Sequence, residues 1–133
     1  MSNAAAITVN DLTANAATNI VLPTPDTLDT GTSAVTLYAA VQNRPEDVIF
    51  LIKNTDDDTA MTVTFLAGDN PPAQRAGVGN ASAQTVAFGA TRIFGPFEGS
   101  RFLQDDGSIG VTITPASGTI SAQITCLRLP RTV

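Results

Sequence analysis

The sequence predicts an all-β chain: a single-domain antiparallel β-sandwich or jelly-roll-like barrel of about nine or ten short strands. Three observations carry this expectation. Short runs alternate apolar and polar residues, as in Met61-Thr62-Val63-Thr64-Phe65 and Ile109-Gly110-Val111-Thr112-Ile113. Glycine, proline and Asp/Asn clusters separate these runs at close intervals. No segment sustains a helical period, and no internal repeat points to a propeller or solenoid. At 133 residues the chain suits one domain whose core needs neither metal nor disulfide.

Residues 1–6 lack the basic residues and apolar stretch of a signal peptide and are expected to be mobile, in a protein made and used without secretion. Ile7 to Leu12 and Asn19 to Leu22 read as short strands of a first hairpin around Thr13 to Thr18. Residues 23–34 carry Pro23, Pro25 and Gly31, which argues against a ladder strand and for a long surface connection. Val35 to Val41 returns to strand, and Asn43 to Asp47 turns it into Val48-Ile49-Phe50-Leu51-Ile52. Five consecutive large apolar residues predict a central strand covered on both faces. The acidic turn Asn54 to Thr59 then leads into the alternating strand Met61 to Leu66 as a hairpin partner.

Beyond the glycine-rich loop of residues 67–79, Gln84 to Phe88 and Thr91 to Phe94 form a predicted tight hairpin on Gly89-Ala90. Gly95 to Gly99 bends the chain into a strand at Ser100 to Gln104, and Asp105-Asp106-Gly107-Ser108 forms the next turn. Ile109, Val111 and Ile113, and later Ile120, Ala122, Ile124 and Cys126, face the core. At Cys126-Leu127 the alternation fails, so either a bulge flips the register or Leu127 and Leu129 meet a partner.

The chain has no histidine, which removes the commonest general base and metal ligand and argues against an enzyme. Asp56-Asp57-Asp58 and Asp105-Asp106 lack the alternating spacing and distal Glu of a Ca²⁺ loop and read as solvated turns. No cofactor or metal is expected. A net charge of −5 with scattered basic residues argues against nucleic acid, and no apolar run is long enough to cross a membrane. Cys126 stands alone and reads as a small buried hydrophobe. Charged residues make up only 14% of the chain, so much of the surface is neutral and suited to lying against other proteins.

In the loop of residues 67–79, Pro71-Pro72 is stiff and Arg75 is the only charge after Asp69. Arg75 is therefore a candidate bidentate donor to a partner, the alternative being an internal pair with Asp69. Phe94, Pro96, Phe97, Leu127 and Leu129 exceed what one regular core alternation uses and are candidate contacts in a subunit interface.

Read together, Ile52-Lys53-Asn54-Thr55, Ala67-Gly68-Asp69-Asn70-Pro71-Pro72-Ala73, Arg75-Ala76-Gly77, Thr91-Arg92, Gly95-Pro96-Phe97-Glu98, Ser100-Arg101-Phe102, Gln104, Asp106-Gly107-Ser108-Ile109 and Leu129-Pro130-Arg131 resemble tailed-phage capsid decoration, or cement, proteins and related prophage head proteins. The resemblance spans roughly residues 48–131. It implies a virion component on the capsid surface, bound to the major capsid protein, commonly as a homotrimer. The competing class is a tail- or host-facing β-sandwich module that recognises glycan or protein, which would need aromatic platforms and carboxylates in a groove.

Overall fold

The computed structural model describes residues 6–12, 23–29, 34–42, 44–68 and 80–129. The described strands are β1 (Val9–Asp11), β2 (Asp26–Asp29), β3 (Val35–Ala39), β4 (Val48–Asn54), β5 (Met61–Phe65), β6 (Gln84–Val86), β7 (Thr91–Phe94), β8 (Ile109–Pro115) and β9 (Ser121–Arg128). One sheet has the order β1-β9-β4-β7, with β2 also on β9; the other has the order β3-β8-β5-β6. All pairings are antiparallel except that of β1 with β9. The result is a β-sandwich.

The core lies between the sheets, because each strand places its large residues on one face. From the first sheet come Leu28, Phe50, Ile52, Ala122, Ile124 and Cys126; from the second come Leu37, Met61, Val63, Val86, Ile109, Val111 and Ile113, all buried. The expected inward alternation holds along β8 and β9. Phenylalanine fills the centre: the Phe65 ring lies 4.5 Å from Phe97, 5.3 Å from Phe94 and 5.4 Å from Phe50, and Phe102 closes the cluster 5.3 Å from Phe97.

Four local expectations are corrected. β4 and β5 are not a hairpin, nor are β6 and β7; each pair is an arch whose second strand crosses to the other sheet. A hairpin would set Phe50 and Phe65 side by side on one face, whereas the arch sets them opposite each other across the core. Asn54, fully buried, braces the β4 arch by donating to the carbonyls of Thr59 at 2.8 Å and Val86 at 3.1 Å. Its own carbonyl accepts from the Asp56 amide at 3.0 Å, so the side chain carries no orphaned polar atom into the core.

Residues 23–34 are not merely a connection. Both prolines precede Asp26-Thr27-Leu28-Asp29, which pairs with β9 and buries Leu28 completely. Residues 99–102 form a single helical turn, in which the Phe102 amide donates to the Glu98 carbonyl at 3.0 Å. Only Leu103 then bridges to Ile109. β9 contains no bulge, since its register with β4 runs unbroken from Ala122 opposite Asn54 to Arg128 opposite Val48. The inward row simply ends on Arg128. Residues 13–22, including the proposed strand Asn19 to Leu22, lie outside the described residues, as do residues 1–5.

Gly68 makes the closest backbone approach. A Cβ there would sit 2.3 Å from the Leu103 carbonyl oxygen, so no side chain is tolerated without moving the backbone. At Gly95, with φ +107, a Cβ would meet the Val48 carbonyl at 2.7 Å.

Truncating Phe65→Ala should cost about 3–5 kcal/mol in urea unfolding, because it empties the middle of the ring cluster. Phe88→Ala, at an exposed site, should stay within about 0.5 kcal/mol of the parent. Equal losses would displace the aromatic cluster from its central role.

Candidate partner-binding surface

The outer face of the five-stranded sheet is set by the same register that builds the core. Opposite the inward row of β4 stand Ile49, Leu51 and Lys53; their neighbours across the ladders are Leu127, Thr125 and Gln123 on β9, and Ile93 and Thr91 on β7. Apolar side chains therefore gather toward the Val48 end and polar ones toward the Asn54 end. Ile93 is 68% exposed and Leu129 38%, while Ile49, Leu51 and Leu127 are half-buried. Pro25, Leu51, Lys53, Thr91, Gln123 and Thr125 line a shallow groove of about 120 Å³ on this face.

The other sheet presents a different outer face. Thr36, Thr112 and Thr64 stand in one cross-strand row, and Thr114, Thr62 and Thr85 in the next. The hydroxyls of Thr36 and Thr112 are 2.8 Å apart. Beside them Tyr38 lies over Gly110, where a Cβ would come within 2.9 Å of the ring. Tyr38, Gln104, Asp105, Asp106 and Ser108 line an open cavity of about 330 Å³. Asp106 accepts from the Ser108 amide at 3.1 Å and from its hydroxyl at 2.5 Å, and these bonds hold its carboxyl below the usual carboxylate value.

The anticipated contacts separate into three groups. Pro71, Pro72 and Arg75 fall outside the described residues. Phe97 belongs to the core at 9% exposure and is no surface contact, and half-buried Phe94 packs against that core beside Phe65. The surplus of aromatic residues is instead used by the ring cluster under the helical turn. Pro96 is exposed, and Leu127 and Leu129 lie on the outer side of the sheet. Ile49, Leu51 and Ile93 join them there. The signal for those three was the strict period-2 parity of residues 48–54 and 91–94, which an unbroken apolar run conceals.

At the Val48 end, Arg128 is buried to 8% exposure and forks onto Asp11, with Nη2 2.9 Å from Oδ2. Its Nη1 donates to Gln42 Oε1 at 3.0 Å and to the Val41 carbonyl at 3.3 Å. The guanidinium holds the Asp11 carboxyl below its ordinary value, and Asp11 in turn raises Arg128 above its own. Close by, Arg44 pairs with Asp47 at 2.9 Å. Burial pushes the Cys126 thiol up to about 12, so it is an unreactive core group at neutral pH.

Asp56, Asp57 and Asp58 bring their carboxylates within 4.8 Å of one another. The Asp56 carboxylate accepts from the amides of Asp58 at 3.2 Å and Thr59 at 2.9 Å. Those bonds depress its pKa and shape the turn. Chemically, the described surface offers hydroxyls, apolar groups and backbone edges for non-covalent contact. Comparison with protein-family models, curated proteins and solved structures gave no match.

If the triple-aspartate turn is only a solvated corner, millimolar Ca²⁺ should leave the thermal midpoint where Mg²⁺ leaves it. Asp56→Ala, which removes both amide bonds, should lower the thermal midpoint in the same buffers. A Ca²⁺-specific rise in midpoint that Asp56→Ala abolishes would establish a cation site instead.

Proposed function

We propose that this chain is a structural virion protein that binds the outside of a tailed-phage capsid and stabilises the shell without catalysis. The observation that carries this reading is the outer face of the five-stranded sheet, where Ile49, Leu51, Ile93, Leu127 and Leu129 lie on the side away from the core. An apolar sheet face is suited to protein contact. The low charge of the whole chain and the sequence resemblance to decoration proteins support the same reading. The partners in this proposal are the major capsid protein and further copies of the chain in a homotrimer, with the virion surface as the location. Many copies held on a closed shell stabilise it by mass action.

A second reading has one observation in its favour. A tail- or host-facing module needs an aromatic platform beside carboxylates, and the cavity at Tyr38, Gln104, Asp105 and Asp106 supplies both. Sugars stack on such rings while carboxylates accept from their hydroxyls.

Titration of shells assembled without this chain should show saturable binding, and the occupied shells should resist heat better. Ile93→Asp, at an exposed position, should keep the fold but weaken shell binding or self-association about tenfold or more, the scale of one desolvated apolar anchor. Sedimentation across a concentration series, with Leu127→Asp alongside, separates the two effects. No saturable shell binding by the parent protein, together with glycan binding lost in Tyr38→Ala, would replace the capsid reading with the second one.

A further inference from the structure

The segment of residues 6–12 is attached unlike any other strand. β1 pairs in parallel with only three residues of β9, Cys126 to Arg128. Before it, Ile7 bridges to Ala39 on the opposite sheet, its amide donating to the Tyr38 carbonyl at 3.0 Å. The segment thus straps one side of the sandwich, touching both sheets. Its apolar anchorage is small: Ile7 is buried and Val9 half-buried.

Beyond the short β9 ladder and the backbone bonds of Ile7 and of Leu12, whose amide donates to the Arg128 carbonyl at 2.9 Å, its side-chain anchorage is largely ionic. The Thr8 amide and hydroxyl donate to the Asp26 carboxylate at 2.6 and 3.0 Å, and Arg128 donates two bonds to Asp11. Besides these four, only Asn10 donating to the Cys126 carbonyl at 3.1 Å ties a side chain of the described strap to another element. The charged groups around Asp11 are Arg128 on β9 and Arg44 and Asp47 at the β3–β4 corner; Asp26 on β2 and the uncharged Cys126 thiol lie alongside.

We propose that residues 6–12 are an acid-releasable strap, latched through Asp11 and Asp26, whose release exposes the β9 edge at Cys126 to Arg128 and the β3 edge at Ala39 while the sandwich stays folded. Protonating Asp11 removes the one carboxylate that Arg128 forks onto and leaves that guanidinium with only the neutral acceptors Gln42 and the Val41 carbonyl. The sign follows from the depressed Asp11 carboxyl: the latch is complete above the ordinary carboxylate range and is lost as pH falls through Asp11's lowered value. Apart from buried Ile7 and half-buried Val9, the core is built by the rest of the molecule, and its antiparallel ladders contain no strap residue.

Hydrogen exchange of the full chain, read by mass spectrometry from about pH 7 down to about pH 3 and corrected for intrinsic exchange rates, tests this. Peptides covering residues 6–12 should lose protection at a higher pH than peptides from β4, β5 and β8. The Asp11→Asn/Asp26→Asn double variant should lose about tenfold protection there already at neutral pH, with the core peptides unchanged. Asp29→Asn, which disturbs a carboxylate on β2 outside the strap, should leave residues 6–12 as they were. Loss of protection in strap and core together at every pH would overturn the proposal, as would full strap protection in the double variant. The pH series on the parent protein decides the matter if the double variant does not fold.

Discussion

The pairing of β4 with β9 is the constraint from which the rest of the sandwich follows. Seven residue pairs in unbroken register place Phe50 beside Cys126 and Ile52 beside Ile124 on the inner face, and Ile49 beside Leu127 on the outer one. The same register decides where the core stops. One inner row ends on Asn54 and the other on Arg128, both buried and both supplied with hydrogen-bond partners. A one-residue slip of β4 would turn Phe50 and Ile52 to the outside and bring Leu51 and Lys53 inward, a loss no local adjustment could offset. Polar plugs at both ends close the apolar space between the sheets without leaving orphaned donors.

The sheet character, the inward residues of β8 and β9 and the burial of Cys126 were legible because a half-buried strand writes its burial directly into alternate positions. Turns at Asp105 to Ser108 and at Gly89 were legible for their glycines, which adopt φ +85 at Gly107 and +73 at Gly89. Pairing partners were not legible. Hairpin and arch share the same turn residues, and what separates them is whether Phe50 and Phe65 meet within a sheet or across the core, a tertiary matter. Arg128 was hidden for a related reason. An arginine on an inward position reads as the end of a strand unless its acceptors are known, and Asp11 lies 117 residues away. Counting Phe94 and Phe97 as surplus apolar residues ignored that a helical turn at residues 99–102 brings a fifth ring, Phe102, into the same cluster.

Two faces of contrasting chemistry result from this one register. The five-stranded sheet offers branched aliphatic side chains that gain by excluding water, a contact with little directional demand. The four-stranded sheet offers rows of threonine, whose methyl and hydroxyl groups tolerate either water or a neighbouring protein. Neither face concentrates charge, so association through them would depend weakly on salt, in contrast to a surface that engages phosphate.

The arches have a consequence for how the chain reaches its fold. β8 and β9 are neighbours in sequence and each sits inside its sheet, yet they never pair; β4 with β5 and β6 with β7 behave likewise. Among the described strands, only β5 and β6 pair as consecutive strands. Among the described strands no short hairpin offers a local start, so their ladders form only after longer loops close, at the cost of loop-closure entropy. During that interval the alternating strands are unpaired and exposed to one another in neighbouring chains. A sparse charge of −5 then supplies most of the mutual repulsion that keeps nascent copies apart.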